Sequence, residues 1–237
     1  MGKLPILRAR GLAGATGARG SVVVIDVLRA FTSAAYAFAG GARSLELVAT
    51  PEEALARKRL APELLLVGEI DGRPIPGFDL GNSPEALDGR DLVGRDVLLR
   101  SSSGVQGVHA ARATATRIFL GSFVTAAATV RALQAAGEPV TLVAMGSPAR
   151  PEDEEDEACA ELFARRLAGR RDGLDELVAL VHASPATERA LDPACDWITP
   201  GDLARALLVD QFDFALEART HEGRVLVTLQ GRDSCRS

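Results

Sequence analysis

The chain has 237 residues, of which 47% are hydrophobic and 25% charged, the composition of an ordinary globular protein. Disorder as the overall state is excluded, because it requires low hydrophobicity together with a high net charge. The formal net charge of −5 argues against non-specific nucleic-acid binding, which depends on basic patches.

Apolar runs of strand length alternate with helix-like stretches along the first two thirds of the chain. Continuous apolar runs are typical of strands buried on both faces of a sheet. Six runs predict strands over 22–27, 45–49, 64–67, 97–99, 118–120 and 140–145. Helices are predicted between and after them, over 30–39, 52–60, 105–113, 123–136 and 154–167. The alternation predicts an α/β fold of three layers, α/β/α, with a largely parallel or mixed sheet.

The last third of the chain has a different pattern. Helices are predicted over 174–182 and 202–209, and the alternation of apolar and polar residues over 225–230 predicts an edge strand. No repeat or low-complexity linker divides the sequence. We therefore predict a single domain over 1–237, with 191–237 as a candidate smaller subregion.

Neither a membrane helix nor a secretory signal is expected. No stretch reaches the roughly 18–20 uncharged apolar residues of a membrane span, and residues 1–20 carry four basic side chains. The three cysteines, Cys159, Cys195 and Cys235, form no even disulfide framework. These features predict a protein of the reducing cytoplasm without a structural disulfide.

Polar residues follow most of the predicted strands. In an open α/β sheet, ligands bind outside the carboxyl ends of the strands. The chain places carboxylates, arginines and hydroxyls there, at Asp26, Arg29, Glu69, Asp71, Arg73, 100–104, Gly121, Ser122, Ser147 and 152–157. This mixture favours a site for a divalent cation and an anionic substrate.

Three carboxylates are candidate ligands of Mg²⁺, a hard cation that binds oxygen. Asp26 interrupts an apolar run at a strand end, where it could instead cap the next helix. Glu69 ends another strand after Gly68, and a simple turn glutamate is the alternative. Asp79 lies in the irregular loop 77–84, whose sequence is Gly-Phe-Asp-Leu-Gly-Asn-Ser-Pro.

Two loops supply candidate groups for an anion. Asn82 could bind substrate or make an Asx turn, whereas Ser83 and Pro84 are typical of a helix start. The second loop contains Ser101, Ser102, Ser103 and Gly104. Hydroxyls and backbone N–H groups at the start of a helix form an anion site. The same residues are also typical of a polar turn with an N-cap.

Three arginines, Arg29, Arg73 and Arg100, lie at strand ends and could bind phosphate bidentately. Each of them alone is more often a surface arginine. The acidic run 152–157 suits the positive end of a helix dipole, and one or two of its members could face a metal.

Cys159 and Arg165 have the Cys-x5-Arg spacing of cysteine-dependent phosphatases. That chemistry requires a thiol with a depressed pKa in an electropositive loop. Cys159 instead follows six acids in a predicted helix, so we do not expect it to be a nucleophile. His109 lies just beyond the serine loop and is a minor candidate.

Several of these segments together resemble the 2-phosphosulfolactate phosphatase family. The resemblance is carried by Val-Ile-Asp-Val-Leu-Arg-Ala at 24–30, Gly-Glu at 68–69, the loop 77–84, and Glu-Asp at 152–153 with Cys-Ala at 159–160. The segments occur in the family's order and cover roughly residues 21–167. The aspartate segment and the loop 77–84 are the most specific.

The resemblance implies an α/β fold and a Mg²⁺-dependent phosphatase that works as a homodimer. The family reaction converts 2-phosphosulfolactate to 3-sulfolactate and phosphate on the route to coenzyme M. Asp26, Glu69 and Asp79 match acidic positions of the family pattern, and Arg29 matches its arginine. This chain departs from the pattern at the serine loop and after Glu69.

We therefore expect hydrolysis of a small anionic phosphate ester. Mg²⁺ would be held by Asp26, Glu69 and Asp79, with catalysis by Asp26, Arg29 and Ser102. Substrate-binding groups would come from Arg73, Asn82, Arg100, Ser101, Ser103 and Gly104. The attacking group could be an activated water, which we favour, or a serine of the loop.

Other functions remain open at this point. The departures from the family pattern suit a phosphatase for another phosphorylated hydroxy acid, or a module that binds a phospho-ligand without turnover. A purely structural dimer is disfavoured by the many polar strand ends. We expect a small anionic phosphorylated substrate and no nucleic-acid or membrane partner.

Overall fold

A mixed sheet of ten strands forms the centre of the computed structural model, which describes residues 4–146 and 154–231. Its order is β1-β8-β2-β7-β9-β10-β3-β6-β4-β5. The strands are β1 (Ile6–Arg10), β2 (Gly20–Ile25), β3 (Ser44–Leu47), β4 (Leu65–Ile70), β5 (Arg73–Pro74), β6 (Asp96–Arg100), β7 (Ala115–Gly121), β8 (Val140–Ala144), β9 (Ala215–His221) and β10 (Arg224–Gln230).

Ten α-helices among the described residues connect and cover the strands. They are α1 (Gly11–Gly17), α2 (Ala30–Ala39), α3 (Pro51–Leu60), α4 (Pro84–Leu87), α5 (Gly104–Ala111), α6 (Ala126–Ala136), α7 (Glu154–Leu167), α8 (Leu174–His182), α9 (Pro185–Leu191) and α10 (Pro200–Ala206). All seven predicted strands and all seven predicted helices are present, whereas β1, β5, β9, α1 and α9 were not predicted, and only the start of α4 was indicated, by Ser83 and Pro84. None of the described helices is long and apolar enough to cross a bilayer.

The helices lie in two layers, one on each face of the sheet. Side chains of α1, α2 and α5 share one aliphatic core with one face of the sheet. On the other face, α6 to α10 pack over β2, β7 and β8, and α3 packs over β4 and β6. The structure therefore confirms the three-layer α/β fold with a mixed sheet.

Side-chain hydrogen bonds cap the N-termini of α3 and α10. The Oγ of Thr50 accepts a hydrogen bond from the Glu53 N–H at 3.2 Å, with Pro51 in the first turn of α3. Thr199 and Asp202 form the reciprocal capping box of α10, since each side chain accepts from the other's backbone N–H.

The strand β10 corrects one prediction, because it lies inside the sheet between β9 and β3 and is not an edge strand. Val225 and Val227 face the aliphatic core, whereas Arg224, Thr228 and Gln230 on the other face of the strand bond to Glu46 and Glu217. The alternation of apolar and polar residues therefore comes from a central strand that has one face toward the core and one polar face. Both β9 and β10 belong to the 191–237 segment and join the main sheet; the number of domains stays a prediction.

The sheet consists of two parallel blocks that run in opposite directions. The first block contains β1, β8, β2 and β7, and the second contains β3, β6 and β4. Three successive antiparallel pairings, through β9 and β10, reverse the direction between the blocks. The carboxyl ends of β2 and β6 nevertheless meet, since the N–H of Gly104, which follows β6, donates a hydrogen bond to the carboxylate of Asp26, which follows β2.

Candidate active site

An open cavity of about 590 Å³ lies where the carboxyl ends of β2, β4, β6 and β8 come together. Among the described residues, its polar lining consists of five carboxylates, two guanidinium groups, an amide and two hydroxyls. They are Asp26, Glu69, Asp71, Glu155, Asp156, Arg29, Arg189, Asn82, Ser102 and Ser103. Residues of α9 and of the segment before α10 form an apolar wall.

Asp26 lies directly after β2 and is 7% exposed. Its Oδ1 accepts a hydrogen bond from the Ala30 N–H at 3.0 Å, which caps α2. Its Oδ2 accepts from the Gly104 N–H at 2.8 Å, at the start of α5. The helix-capping role and the place in the cavity, two alternatives from the sequence, therefore coexist in one side chain.

Burial raises the pKa of Asp26 from its ordinary value of 3.8 to about 6. The N–H groups of Ala30 and Gly104 and the charge of Arg29 oppose this change, whereas the negative charge of Glu69 adds to it. A cation that enters the cavity would stabilise the ionised form of the Asp26 carboxyl group.

Asp156 in α7 is a second buried carboxylate of the cavity, 3% exposed. Its oxygens accept hydrogen bonds from the Val27 N–H at 2.8 Å and the Gly146 N–H at 2.9 Å, which link the ends of β2 and β8. Burial raises its pKa well above the ordinary value, and the charges of Glu155 and Asp26 add to the effect. From the acidic run, Glu155 and Asp156 thus face the cavity; Ser147, Glu152 and Asp153 lie outside the described residues.

Glu69 in β4 organises the serine loop. Its Oε1 accepts from the Ser102 N–H at 2.6 Å and its Oε2 from the Gly72 N–H at 2.5 Å. The Ser102 hydroxyl donates to the same Oε2 at 3.3 Å. That hydroxyl accepts from the Asp71 N–H and from the Arg100 guanidinium, each at 2.9 Å. Both lone pairs of the Ser102 oxygen are therefore already used.

Arg29 lines the cavity and Arg100 lies behind it, and both bond to the walls of the site. Arg29 donates to the Trp197 carbonyl oxygen and, at 2.7 Å, to the Gly72 carbonyl oxygen. It also lies 3.4 Å from a carboxylate oxygen of Asp202, which is fully buried. Arg100 does not line the cavity, since it donates to the Glu69 carbonyl oxygen at 2.5 Å and to Ser102. The contacts that the structure shows for these two guanidinium groups are with the protein itself, and a grip on phosphate stays a prediction.

Arg73 lies on the exposed strand β5, with its guanidinium 4.0 Å from the centre of the Trp197 ring. It does not line the cavity, although the indole beneath it does. The structure therefore does not bring the predicted substrate-binding residue Arg73 into the site. Its role there is support of Trp197.

Asn82 follows the loop 77–81 and is 2% exposed. Its side chain lines the cavity, and its Oδ1 has no hydrogen-bond partner among the described residues. A buried polar atom without a partner costs about 1–3 kcal/mol unless a ligand or water satisfies it. An oxygen without a protein partner at the cavity is available to a polar ligand group, and the role of Asn82 in substrate binding stays a prediction.

The rest of the serine loop shapes the start of α5. The Ser101 hydroxyl is buried and accepts from the Val105 N–H at 3.0 Å, so it serves the helix and does not line the cavity. Ser103 lines the cavity, and Gly104 donates to Asp26. The predicted loop thus delivers Ser102 and Ser103 to the site.

Asp79, the third predicted metal ligand, is separated from the cavity. Its carboxylate binds the Lys58 ammonium group and accepts from the Leu66 N–H at 2.7 Å. Partial burial alone would raise the pKa of Asp79, but these two contacts outweigh it and hold the pKa below the ordinary value. Because Asp79 is occupied at the edge of β4, the predicted set Asp26, Glu69 and Asp79 is corrected.

Cys159 and His109 lie elsewhere. Cys159 is buried in the core under α7, where burial raises the pKa of its thiol well above the ordinary value. His109 contacts the Leu47 carbonyl oxygen at 3.2 Å, and burial lowers its pKa. Neither residue lines the cavity.

The donor chemistry of the cavity fits Mg²⁺ bound by two carboxylates at most. Within residues 4–146 and 154–231, no three carboxylate, imidazole or thiol side chains are placed to share one ion. Mg²⁺ usually keeps several waters and takes one or two carboxylates together with substrate phosphate oxygens. Asp26, with Glu69 or Asp156 beside it, meets that requirement, and a cation would offset their mutual repulsion.

Sequence reasoning missed the side of the cavity formed by Ala186, Arg189, Trp197 and Ile198. The dipeptide Ser184-Pro185 is a helix-start signal, and the Ser184 hydroxyl does accept from the Thr187 N–H at 3.4 Å. That signal could have located α9. No spacing in the sequence indicates that Arg189 reaches the strand ends.

Comparison with known proteins places this chain in a family. The sequence model described as 2-phosphosulpholactate phosphatase matches residues 10–196. A probable 2-phosphosulfolactate phosphatase of Bacillus subtilis is 36% identical over 170 residues, which are 70% of this chain and 69% of the relative. Proteins of the same description from Deinococcus radiodurans and Thermus thermophilus are 43% and 38% identical over 129 and 130 residues. Each of these two matches spans about half of both chains, at 54%. On this evidence, the chain belongs to the 2-phosphosulpholactate phosphatase family.

Proposed function

We propose that the protein is a Mg²⁺-dependent phosphatase that hydrolyses 2-phosphosulfolactate to 3-sulfolactate and phosphate. The observation that carries the proposal is the group of buried carboxylates, Asp26, Glu69 and Asp156, around one cavity at the strand ends. Membership of the family and the names of the relatives support the reaction and the substrate.

Asp26 would be the central ligand of Mg²⁺, together with one of the flanking carboxylates Glu69 and Asp156. When bound, Mg²⁺ would act as a Lewis acid on phosphate oxygens and offset charge that develops in the transition state. The backbone N–H groups of Ala30 and Gly104 fix the orientation of Asp26 toward the cavity. Glu69 fixes the serine loop through the N–H groups of Ser102 and Gly72.

We favour direct attack by water over a phosphoserine intermediate. The Ser102 oxygen accepts two hydrogen bonds and would have to lose one before it could attack phosphorus. Ser102 therefore serves as a positioning residue in this proposal. Acid quenching during turnover should trap no phosphoserine, and a trapped phosphoserine at Ser102 would reverse this assignment.

The experiment that tests the proposed function measures phosphate release from 2-phosphosulfolactate and other phosphorylated hydroxy acids, with Mg²⁺ and with EDTA. Turnover of 2-phosphosulfolactate with Mg²⁺ and none with EDTA is expected. Turnover of another ester would keep the mechanism and change the substrate. Folded protein that releases no phosphate from any ester would indicate a phospho-ligand-binding module.

Two matched variants locate the metal site. Asp26→Asn should abolish phosphate release while the fold is retained. Asp79→Asn makes the same chemical change at a carboxylate that pairs with Lys58 outside the cavity. This variant should retain activity. If Asp79→Asn abolishes activity and Asp26→Asn does not, the proposed site is wrong.

A homodimer, a cytoplasmic location and a place on the route to coenzyme M also follow from the family resemblance and are part of this proposal. The dimer is tested by light scattering of the purified chain. A monomer at micromolar concentration would remove the dimer from the proposal without affecting the reaction.

A further inference from the structure

Part of the cavity lining is apolar and is not used by the proposed reaction. It consists of Ala186 on α9 and of Trp197 and Ile198 in the segment before α10, and we call these three residues the apolar wall. The buried carboxylates Asp26 and Glu69 line the same cavity. A ligand that fills the cavity therefore meets both acidic groups and an apolar surface.

The indole of Trp197 is held in place by its surroundings. The Arg73 guanidinium lies 4.0 Å from the centre of the ring, and the Trp197 carbonyl oxygen accepts a hydrogen bond from Arg29. A Cβ at Gly72 would lie 2.9 Å from the indole Nε1, so the turn between β4 and β5 packs closely against the ring. A side chain that is already ordered loses little conformational freedom when a ligand binds to it.

Trp197 nevertheless remains only half-buried, and its side chain lines the cavity. Because Arg73 does not line the cavity, the indole lies between that guanidinium and the cavity. Beside the indole, Ile198 belongs to the hydrophobic core on this face of the sheet. A ligand group that covers such a surface gains free energy by removing apolar area from water, and an aromatic group gains further from contact with the indole. The wall is therefore suited to an aromatic group.

The size of the cavity leaves room for such a group. Its volume of about 590 Å³ lies within the range of roughly 300–1,000 Å³ for pockets that enclose drug-sized ligands. By contrast, 2-phosphosulfolactate carries a phosphate, a sulfonate and a carboxylate on three carbons and has no apolar group to place on the wall. The family model matches residues 10–196, so Trp197 and Ile198 lie beyond the match. Neither the proposed substrate nor the family match accounts for the wall.

We propose that the cavity binds phosphate monoesters whose alcohol carries an aromatic ring, with the ring on the apolar wall and the phosphate beside Asp26, and that these esters are further substrates. The inference rests on the proposed function for its chemistry. Water attacks phosphorus, and the P–O bond to the alcohol breaks. The leaving oxygen keeps the bonding electron pair and takes up the proton that the water loses, so the products are phosphate and the aromatic alcohol. Trp197 is the substrate-binding residue that selects the ring.

The kinetic test compares benzyl phosphate with ethyl phosphate, two monoesters of primary alcohols that differ by an aromatic ring. Phosphate release from each is measured in the presence of Mg²⁺. In the wild type, kcat/KM for benzyl phosphate should exceed that for ethyl phosphate by about 10- to 100-fold, the range for burial of a phenylalanine-sized side chain. Equal values for the two esters would overturn the proposal.

Variants of Trp197 locate the ring. Trp197→Ala should reduce the preference for benzyl phosphate by about 3- to 10-fold, the range for contact between two aromatic rings. Trp197→Phe should keep most of the preference, because it retains an aromatic ring. Leu191→Ala is the control, since Leu191 ends α9, is 60% exposed and does not line the cavity. An unchanged preference in Trp197→Ala, or an equal reduction in Leu191→Ala, would overturn the role of Trp197.

A titration separates this inference from the proposed function, because it needs neither turnover nor a variant. The chain contains a single tryptophan, so its emission reports directly on the wall. Benzylphosphonate, which has no ester bond to hydrolyse, should bind more tightly than ethylphosphonate in the presence of Mg²⁺ and should change the tryptophan emission.

Equal affinities of the two phosphonates, or no binding of benzylphosphonate, would overturn the proposal even if 2-phosphosulfolactate is hydrolysed. Tighter binding of benzylphosphonate without phosphate release from any ester would overturn the proposed reaction and the turnover of aromatic esters, and it would confirm the binding of the ring. Because the titration uses the wild type, it decides the proposal even if Trp197→Ala does not fold.

Discussion

The backbone N–H of Gly104 donates a hydrogen bond of 2.8 Å to Oδ2 of Asp26, across 78 positions of sequence and between the two parallel blocks of the sheet. Gly104 follows β6 and Asp26 follows β2, which run in opposite senses. The contact shows that the site forms where the blocks meet, and it sets the distance between the serine loop and the central carboxylate.

Gly104→Ala should break this contact. A Cβ at Gly104 would lie 2.5 Å from Oδ2 and 2.7 Å from Cβ of Asp26, and 2.9 Å from the Phe31 ring. Overpacking of this kind costs about 1–3 kcal/mol of unfolding free energy. We expect that loss in chemical denaturation together with a loss of phosphate release. Gly17→Ala is the control, since a Cβ there meets nothing within 4 Å; an active Gly104→Ala variant of normal stability would contradict the prediction.

Asn82→Ala should weaken substrate binding more than it weakens the fold. The Oδ1 of Asn82 has no partner among the described residues, so its removal breaks no hydrogen bond from that atom to the protein. We expect a higher KM with little change in melting temperature. Ser83→Ala provides the contrast, because Ser83 caps α4 and donates to Asp202 at 2.6 Å. That variant should lose about 0.5–2 kcal/mol of unfolding free energy; an unchanged KM in Asn82→Ala would exclude a substrate contact.

The stability of the wild type should depend on Glu46 at neutral pH and not at low pH. Burial alone would raise the pKa of Glu46, but hydrogen bonds from Arg57 and Arg224 outweigh it and hold the pKa below its ordinary value of 4.5. A carboxyl group with a lowered folded pKa stabilises the protein above its unfolded pKa, and this contribution is lost as pH falls through the folded pKa.

Glu46→Gln therefore reduces the unfolding free energy at pH 7 by about 1.5–3 kcal/mol, the range for hydrogen bonds to a charged group. The difference between wild type and variant should shrink as pH falls below 4.5. Urea denaturation at several pH values measures it. Asp172→Asn removes an exposed partner of Arg170 and should change little at any pH, since surface pairs contribute little. A difference that grows toward low pH would reverse the assignment.

Cys159→Ala should retain phosphate release. The thiol is fully buried, and burial raises its pKa well above the ordinary value, so it is neither ionised nor accessible at neutral pH. A small loss of stability from the lost sulfur is expected, on the order of 1 kcal/mol. Inactivation by a thiol reagent that Cys159→Ala prevents would show that the Cys-x5-Arg spacing is functional.

The sequence predicted those elements that have a strong apolar pattern. The bounds of α2, α7 and α8 agree with the helices predicted over 30–39, 154–167 and 174–182. Strand β1 was missed because Arg8 and Arg10 interrupt its pattern and pair with Glu157 on α7. Strand β9 was missed for the same reason, because Glu217 interrupts its apolar pattern. This glutamate is buried in the structure, where it pairs with Arg117 and Arg219. A strand that contains charged residues cannot be recognised from its own sequence when the partners of those charges lie elsewhere in the chain.

The site residues that could be predicted from the sequence are those that lie at the end of a predicted strand or directly after it. Asp26, Glu69 and the serine loop come together as expected, because strand ends meet even in a sheet of two opposed blocks. Asp79 could not be placed, since its partner Lys58 lies 21 positions away on α3. Arg189 could not be found, because its helix reaches the cavity only through packing.

The position of β9 and β10 has a consequence for the order in which the molecule assembles. These strands come after all other described elements in the chain, yet they occupy the seam between the two parallel blocks. A nascent chain that has not reached Ala215 can form each block but lacks the strands that connect them. The cavity, which draws Asp26 from one block and Gly104 from the other, is therefore completed only after β9 and β10 have been added, so chains that stop before these strands carry no assembled site.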